Sequence, residues 1–269
     1  MPVPVITISR GSYSYGKEVA EKLCARLGYQ CVSREIILEA SKQFNIPEIK
    51  LLRAVHDAPS ILDRFIYGKE TYIAYFREAL LRRLLDDNII YHGLAGQFFV
   101  AEVSHALKVR IIADIKDRAA LEMRHRGGGS QREVMKQLVK DDEQRRRWSQ
   151  YLYGIDIGDP SLYDLVIHIG KMGCDEAVDT IAETAAMECF QATEESKKKI
   201  DLLYRAARAQ AVLVQEIPSA VVEVEQGELV VYIKGFGDFM GGEQKLAAKV
   251  EEITDEKGDL KVRVRLTSQ

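Results

Sequence analysis

The stretch that decides the fold runs from Val5 to Leu27 and reads Val5-Ile-Thr-Ile-Ser-Arg10-Gly11-Ser-Tyr-Ser-Tyr15-Gly16-Lys17-Glu18-Val-Ala-Glu-Lys-Leu-Cys-Ala-Arg-Leu27. It begins with a β-branched run, which predicts a buried strand. It ends with apolar residues at helical spacing, and Gly28 follows as a stop. Between strand and helix stands the spacing G-x-x-x-x-G-K, which is typical of a loop that binds phosphate groups.

Each part of this stretch has a physical task. Glycines let the backbone turn tightly and aim its N–H groups inward, the first turn of the helix adds unpaired N–H groups, and a lysine reaches the outer phosphates. A plain strand-to-helix turn with a solvated lysine is the alternative. If the loop binds a nucleotide, the residues that we predict to contact it are Gly11, Ser12, Tyr13, Ser14, Tyr15, Gly16, Lys17 and Glu18.

Glu18 stands where such loops usually carry a Ser or Thr that holds Mg²⁺. The ion could instead be held through water by Ser9, Ser12 or Ser14, or by Asp114 at the end of a predicted strand. Asp114 could equally cap the helix that follows it. The five histidines have no metal-ligand spacing, so we predict no resident metal site in the protein.

The composition is that of a globular chain with little net charge. Its 269 residues are 46% hydrophobic and carry a formal charge of -3, which predicts one large and one small domain without attraction to nucleic acid or membrane. No stretch approaches the roughly 18 apolar residues of a membrane span. The four cysteines form no C-x-x-C pair, which favours reduced thiols and a cytoplasmic location.

Short strand patterns alternate with longer helical patterns along the first two thirds of the chain. Helical patterns from Pro47 to Val55 and from Pro59 to Asp86 form an insertion that could enclose a second substrate. The alternation predicts an α/β fold with a parallel sheet between layers of helices. After the first strand, the predicted strands are Tyr29–Val32, Asn88–Tyr91, Lys108–Ala113 and Tyr163–Ile169.

The most basic part of the chain runs from Arg118 to Arg147, where nine basic residues stand against five acids. A glycine break at 127–129 divides it into two helical patterns. A solvated surface hairpin is one interpretation. The other is a lid that brings arginines over a transferring phosphoryl group and excludes water.

Several motifs in order resemble the cytidylate-kinase-like family of P-loop nucleoside monophosphate kinases, over residues 3 to about 190. They are Ile6-Thr-Ile-Ser-Arg10, the glycine loop, Ser33-Arg-Glu-Ile-Ile37, Ile89-Ile-Tyr-His-Gly93, Asp142-x-x-Arg145-x-x-Trp148 and Asp159-Pro-Ser-Leu-Tyr-Asp-Leu-Val-Ile167. The resemblance implies a P-loop kinase core, ATP with Mg²⁺ as phosphoryl donor, and CMP or dCMP as acceptor.

The resemblance also implies roles for single residues. Gly11, Gly16 and Lys17 match the loop that holds the donor phosphates, and Arg118 and Arg124 match the entry to the lid. Arg145 matches the lid arginine that touches phosphate. Lys17, Arg145 and Arg124 are therefore the predicted catalytic residues, and Arg118 is predicted to help bind the nucleotide.

Two positions depart from the family pattern. Ser33 stands where the family tends to carry an acid, and Leu94 stands where it tends to carry an arginine. Leucine cannot bind a phosphate, so the acceptor site has lost a charge-assisted contact. Together with Glu18, these residues leave open a catalytically degenerate nucleotide sensor, and a purely structural protein is a third option.

The pattern changes after residue 192, and we expect a first domain over 1–192 and a second over 197–269. The second segment reads helix, strand, strand, helix, strand, with a Gln226-Gly227 turn that predicts a β-hairpin. This order weakly resembles a BON-type module. Its twelve basic and twelve acidic residues do not favour a nucleic-acid or lipid ligand, which leaves regulation or homo-oligomerisation.

Overall fold

The computed structural model of the 269-residue chain describes residues 4–33, 35–45, 68–86, 88–93, 95–234, 242–254 and 261–267. The helices are α1 (Gly16–Leu27), α2 (Glu35–Gln43), α3 (Gly68–Leu84), α4 (Gly96–Phe99), α5 (Ile115–Arg126), α6 (Gln131–Tyr153), α7 (Cys174–Ala185), α8 (Glu194–Leu213) and α9 (Gly242–Thr254). The strands are β1 (Val5–Arg10), β2 (Gln30–Val32), β3 (Ile89–His92), β4 (Ala106–Ala113), β5 (Leu165–Ile169), β6 (Val221–Glu225), β7 (Glu228–Lys234) and β8 (Val262–Thr267).

The first five strands form one parallel sheet in the order β2-β3-β1-β4-β5. In its centre, β1 pairs with β3 through Ile6 and Ile90 and with β4 through Ile6 and Leu107. Parallel strands need crossovers, and the helices between them cover both faces. The predicted α/β fold, with its parallel sheet between helical layers, is confirmed.

Each face of the sheet has its own hydrophobic core. Ile6 and Ile8 of β1 pack with Leu23 of α1 and Ile181 of α7. The opposite core joins β3 to α2, α3, α6 and α8, and includes Leu80, Trp148 and Ile200. The glycine loop is therefore fixed at both ends, by a buried strand and by a buried helix.

Helices α5 and α6 form the predicted basic hairpin. Gly127, at φ 74°, ends α5, and three side chains, Ala119, Val134 and Leu138, make a small core between the two helices. The sequence pattern of the hairpin is thus confirmed. The apolar contact is small, so polar contacts with the rest of the protein contribute to its position.

The C-terminal strands form a second sheet in the order β6-β7-β8. The predicted hairpin is present, with Gln226 at φ 51° and Gly227 at φ 81°, and β8 pairs parallel to β7. Helix α8 packs on two cores at once, because Ala207 belongs to the core of the large sheet and Ala206 to that of the small one. The division at 192 to 197 stays a prediction.

Some predictions fall outside the described residues. They are the helix from Pro47 to Val55, the first part of the pattern from Pro59 to Asp86, and Leu94. The described part of the second pattern forms α3. Among the described helices, none combines the length and the apolar character that crossing a membrane requires.

We expect Leu80→Ala to destabilise the protein by about 2–5 kcal/mol, because Leu80 is completely buried in the core of the large sheet and its truncation leaves a cavity. Urea unfolding measures the change. Leu85→Ala is the matched control, since this leucine follows the same helix and is 38% exposed. Equal losses in the two variants would contradict the described core.

Candidate active site

The glycine loop connects the carboxyl end of β1 to the first turn of α1. Its backbone turns sharply, with Tyr13 at φ 53° and Tyr15 at φ 65°. Such left-handed conformations are uncommon and costly for bulky side chains, and they cluster at functional sites. The first turn of α1, whose N–H groups lack partners within the helix, opens directly onto this loop, as in an anion-binding site.

Gly16 is required where α1 starts. A Cβ atom at this position would lie 2.6 Å from Cβ and 2.8 Å from Cδ of Arg10. The absence of a side chain lets the Arg10 side chain pass beneath the start of α1. This glycine therefore serves close packing as well as loop geometry.

Ser14 ties the loop to the sheet. Its hydroxyl lies 3.0 Å from the carbonyl oxygen of Gly11 and 3.2 Å from that of Ile111 in β4, and it is buried. The single hydroxyl proton is shared between two backbone acceptors. In this structure Ser14 therefore stabilises the shape of the loop. We had predicted that it contacts the nucleotide.

Arg118 joins the loop to both helices of the basic hairpin. Its Nε donates to the carbonyl oxygen of Ser12 at 2.7 Å, and its two terminal nitrogens donate to both carboxylate oxygens of Asp142 at 2.6 and 2.9 Å. The Arg118 side chain is only 9% exposed. Because bidentate charge-assisted bonds are strong and directional, this fork fixes the hairpin relative to the loop.

A second contact between hairpin and loop comes from Arg145, whose Nη1 donates to the carbonyl oxygen of Arg10 at 3.0 Å. Burial lowers the pKa of Arg145 to about 10, and the nearby charge of Arg10 contributes in the same direction. The guanidinium of Arg145 therefore stays protonated near neutral pH. Burial also lowers the pKa of Arg10, whose Nε has no hydrogen-bond partner in the described part of the chain.

These groups border a cleft of about 420 Å³ beside the glycine loop, which we call the arginine cleft. Five arginines and two acids line it: Arg10, Arg110, Arg118, Arg145, Arg146, Asp142 and Glu143. Gly11, Ser14 and the carboxyl end of β4 complete the wall. This excess of positive charge, of which only the Arg146 side chain is exposed, favours a ligand with several negative charges.

Arg110 is a lining residue that sequence reasoning missed. Its Nη1 lies 3.2 Å from the hydroxyl of Tyr163 and 3.5 Å from that of Ser9. The Tyr163 hydroxyl also lies 3.0 Å from the carbonyl oxygen of Ile157. A signal was present, because an arginine inside the run Lys108-Val-Arg-Ile-Ile-Ala113 interrupts an apolar strand and calls for a special partner.

Not all of the predicted site residues meet at the cleft. The Lys17 side chain is 66% exposed and lies 3.6 Å from Glu21, and Glu18 pairs with Lys22 at 3.1 Å. Arg124 is exposed on α5 and does not line the arginine cleft. Arg118, Gly11 and Arg145 do come together there.

The two tyrosines of the loop pack on different neighbours. Tyr13 lies against α5, with its ring centre 6.2 Å from that of His125. A hydrogen bond with Glu122 raises the pKa of its hydroxyl. Tyr15 packs against the core that contains α1 and α7. In this structure the tyrosines thus contact protein, while their predicted contact with nucleotide stays a prediction.

The carboxyl ends of β2 and β3 lie on the other side of the loop. The amide of Ser33 donates to the Glu35 carboxylate at 2.8 Å, so an acid is present two residues beyond the family position. A Cβ at Gly93 would lie 2.3 Å from the Tyr91 hydroxyl, and one at Gly96 would lie 2.6 Å from its ring. Both glycines therefore make room for the Tyr91 ring, on either side of position 94.

Two cysteines lie together at this side of the protein. Cys24 on α1 is buried, whereas Cys31 on β2 is exposed. A hydrogen bond with Cys24, helped by His92, lowers the pKa of the Cys31 thiol to about 5. The pKa of Cys24 is raised, above all by its bond with Cys31. All four cysteines are free, in line with the predicted reduced thiols, and Cys31 is the exposed member of the pair.

The described residues hold no cluster of three or more His, Cys, Asp or Glu side chains that could bind a metal ion by themselves. Mg²⁺ in kinases needs no such cage, since it keeps several waters and binds mainly to substrate phosphates. Asp114 fits this demand. It is exposed after β4, its side chain forms no cap bond to α5, and it lies 3.4 Å from Nε2 of His168.

Comparison with known proteins agrees with this architecture. Residues 5–171, more than half of the chain, match the model of the cytidylate kinase-like family. The chain belongs to this family. The matched residues include the glycine loop, the basic hairpin and all five strands of the large sheet.

Two curated relatives differ in the extent of their likeness. A protein of Ignicoccus hospitalis named cytidylate kinase is 23% identical over 181 residues, which is 66% of this chain and 96% of that protein. One of the same name from Thermococcus sibiricus is 40% identical over 90 residues, 34% of this chain and 45% of that protein. In the latter case the match spans less than half of the relative.

A solved structure shares the fold. An uncharacterized protein from Eubacterium ventriosum matches with a TM-score of 0.52 and 20% identity. The alignment covers 68% of this chain and 98% of that one. The likeness supports the arrangement of sheet and helices and says nothing of substrate.

We expect Gly16→Ala to destabilise the protein by about 1–3 kcal/mol, because the new methyl group would overlap the Arg10 side chain. Gly11→Ala is the control from the same loop. Its Cβ would lie 3.4 Å from the Arg118 guanidinium, an ordinary contact, so we expect a change below about 0.5 kcal/mol. Denaturant unfolding compares the two, and a larger loss at Gly11 would contradict the described loop.

Cys31 should react with iodoacetamide at nearly the same rate at pH 6 and pH 8, because its thiol is already ionised at the lower pH. An ordinary thiol with a pKa of about 8.5 would react roughly 75-fold faster at pH 8. Mass spectrometry of the labelled peptides follows each cysteine separately. His92→Gln should restore part of the pH dependence, and a steep profile for Cys31 in the unmodified protein would disprove the pairing.

Proposed function

We propose that the protein transfers the γ-phosphoryl group of ATP to a nucleoside monophosphate. The observation that carries this proposal is the arginine cleft, where five guanidinium groups converge beside the glycine loop. The cleft lies at the carboxyl edge of a parallel sheet, the usual place of ligands in α/β folds. Phosphoryl transfer requires mainly positioning and positive charge, and this cleft offers both.

In the proposed complex the loop from Gly11 to Glu18 holds the phosphates of ATP through its backbone N–H groups. Lys17 projects from the first turn of α1 and reaches the outer phosphates. Arg145 is the arginine that neutralises charge on the transferring group. Arg118 has a positioning role, because its bonds to Ser12 and Asp142 keep loop and hairpin together.

Mg²⁺ would accompany the donor nucleotide. When bound, the ion would neutralise part of the charge of the donor phosphates. Asp114 is the side chain that we assign to it, directly or through water, since its carboxylate is exposed where β4 ends. Ser14 is less suited, because its hydroxyl is already engaged by two carbonyl groups.

CMP or dCMP is the proposed acceptor. The support is membership of the family and the name of the relatives. Leu94 offers no charge to the acceptor phosphate. Arg110, held by Tyr163 on the wall of the cleft, is the group that we propose to supply this charge instead.

A nucleotide sensor is the second candidate function. Leu94, Ser33 and Glu18 depart together from the pattern of an active kinase. Such a protein would bind ATP saturably and transfer no phosphoryl group. The C-terminal residues 197–269, which we propose as a separate BON-like domain for regulation or self-association, would then report occupancy.

The decisive experiment incubates the protein with ATP, Mg²⁺ and each of CMP, dCMP, UMP, AMP and GMP, and measures diphosphate formation. We expect transfer to CMP or dCMP. Lys17→Ala should lower turnover about 100-fold or more with little change in melting temperature, and Arg145→Ala should lower turnover as much while also losing the bond to the Arg10 carbonyl oxygen. Lys17 and Arg145 are assigned contacts that matter most in the transition state, which is why both kcat and kcat/KM should fall.

Two further variants serve as comparisons on the hairpin. Arg147→Ala is the control, because its side chain is 66% exposed and pairs only with Glu143 among the described residues. Arg124→Ala tests a predicted catalytic residue that lies outside the cleft, and we expect a smaller loss than for Arg145→Ala. Full turnover in Lys17→Ala would contradict the kinase proposal, and ATP binding without any diphosphate would favour the sensor.

A further inference from the structure

A second cleft, of about 460 Å³, lies between the large sheet's helical layer and the C-terminal sheet. Helices α3 and α4 form one side, and helix α8 with strand β6 forms the other. The end of α6 closes it through Tyr153. None of its lining residues lines the arginine cleft, so the two are separate. We call it the aromatic cleft.

Three aromatic rings give one wall of this cleft. The Tyr153 ring centre lies 5.1 Å from that of Phe98 and 5.6 Å from that of Phe99, at angles of 53° and 78°. The rings meet at an angle instead of stacking in parallel. Because tilted rings do not cover each other's faces, a flat ligand can pack against a ring face.

Polar groups from both sides also line the aromatic cleft. Arg77 on α3 donates through Nη1 to the Gln210 side chain at 3.2 Å and to the Val222 carbonyl oxygen at 3.4 Å. In the described part of the chain these bonds use one nitrogen, which leaves further N–H groups of the guanidinium for a ligand. Glu223 on β6 lines the same cleft and adds a carboxylate acceptor.

The charges of the aromatic cleft balance, in contrast to those of the arginine cleft. Its charged lining residues are Arg77, Glu102 and Glu223. Glu102 is paired with Lys199 at 2.5 Å, and the remaining lining charges, one on Arg77 and one on Glu223, are opposite in sign. A phosphate or another free anion would meet no excess of positive charge here, so the charge balance selects an uncharged ligand.

Size and chemistry together narrow the ligand class. A volume of about 460 Å³ lies within the range of small-molecule sites, which are mostly apolar with a few placed polar groups. A donor and an acceptor that line the same cleft match a planar heterocycle that carries a carbonyl group and an amino group. We propose that the aromatic cleft binds an uncharged heterocycle of this kind, a free nucleoside, with its base on the aromatic wall and its polar edge on Arg77 and Glu223.

The end of α6 connects this cleft to the proposed kinase site. Tyr153 and Ile155 line the aromatic cleft, and Ile157 and Gly158 line the arginine cleft. The chain turns at Gly154, at φ 71°, and Asp156, which lies between the two pairs, accepts a hydrogen bond from Arg146 at 3.1 Å. A nucleoside in the aromatic cleft therefore contacts a segment that continues into the wall of the other cleft.

Trp148, the single tryptophan of the chain, gives a direct probe, since its ring centre lies 5.5 Å from that of Tyr153. Cytidine, adenosine and uridine are titrated separately into the full-length protein while the tryptophan emission is recorded. We expect a saturable change with at least one of them. Glu223→Gln should weaken this binding at least tenfold, whereas Glu225→Gln, which lies on the same strand outside the cleft, should leave it unchanged.

A third variant distinguishes the two clefts. Arg145→Ala alters the arginine cleft and should leave nucleoside affinity unchanged, and saturating ATP should not compete. Loss of binding in Arg145→Ala, competition by ATP, equal affinity in Glu223→Gln, or no saturable change with any nucleoside would each overturn the proposal. The binding measurement needs no turnover, so an inactive kinase site would not affect it.

Discussion

The bond between Arg118 and Asp142 is the contact on which the proposed site depends. One guanidinium group, buried between two helices and the glycine loop, binds the Ser12 carbonyl and both oxygens of one carboxylate. A buried arginine without these acceptors would be a desolvated, unpaired charge. The same fork that satisfies Arg118 therefore fixes where the hairpin stands and brings Arg145 to the loop.

Much of this fold follows from sequence periodicity. The run of β-branched residues before Gly11 predicts a strand buried on both faces, and the apolar spacing after Gly16 predicts the helix. The basic hairpin was also predictable, because three glycines, Gly127 to Gly129, separate one helical pattern from the next. Turn chemistry predicted the hairpin at Gln226 and Gly227, and both residues have positive φ angles.

Other features depend on tertiary packing that no local pattern encodes. The two predicted lid arginines on α5 point in different directions because they lie on different sides of the helix. Arg118 faces the loop, whereas Arg124, six residues later, is exposed. Arg110 enters the cleft because strand register sets it beside Ser9. Helix α8 contacts two cores because it carries apolar residues on two of its faces. The sequence pattern shows these faces but does not tell which part of the protein each one packs against.

The two clefts differ in charge, and each is therefore proposed to bind a different kind of ligand. The arginine cleft collects positive charge at the carboxyl edge of the sheet, as a polyphosphate requires, and the aromatic cleft combines one wall of tilted rings with balanced polar groups. The segment that follows α6 borders both. The proposed phosphotransferase site and the proposed nucleoside site are thus joined by a short stretch of chain.

Phosphoryl transfer can be followed directly by ³¹P NMR of ATP and Mg²⁺ with CMP and a stoichiometric amount of the protein. We expect the γ-phosphorus signal of ATP to be replaced by the β-phosphorus signal of CDP, with ADP as the second product. Appearance of inorganic phosphate alone, or an ATP spectrum that does not change with time, would contradict this expectation.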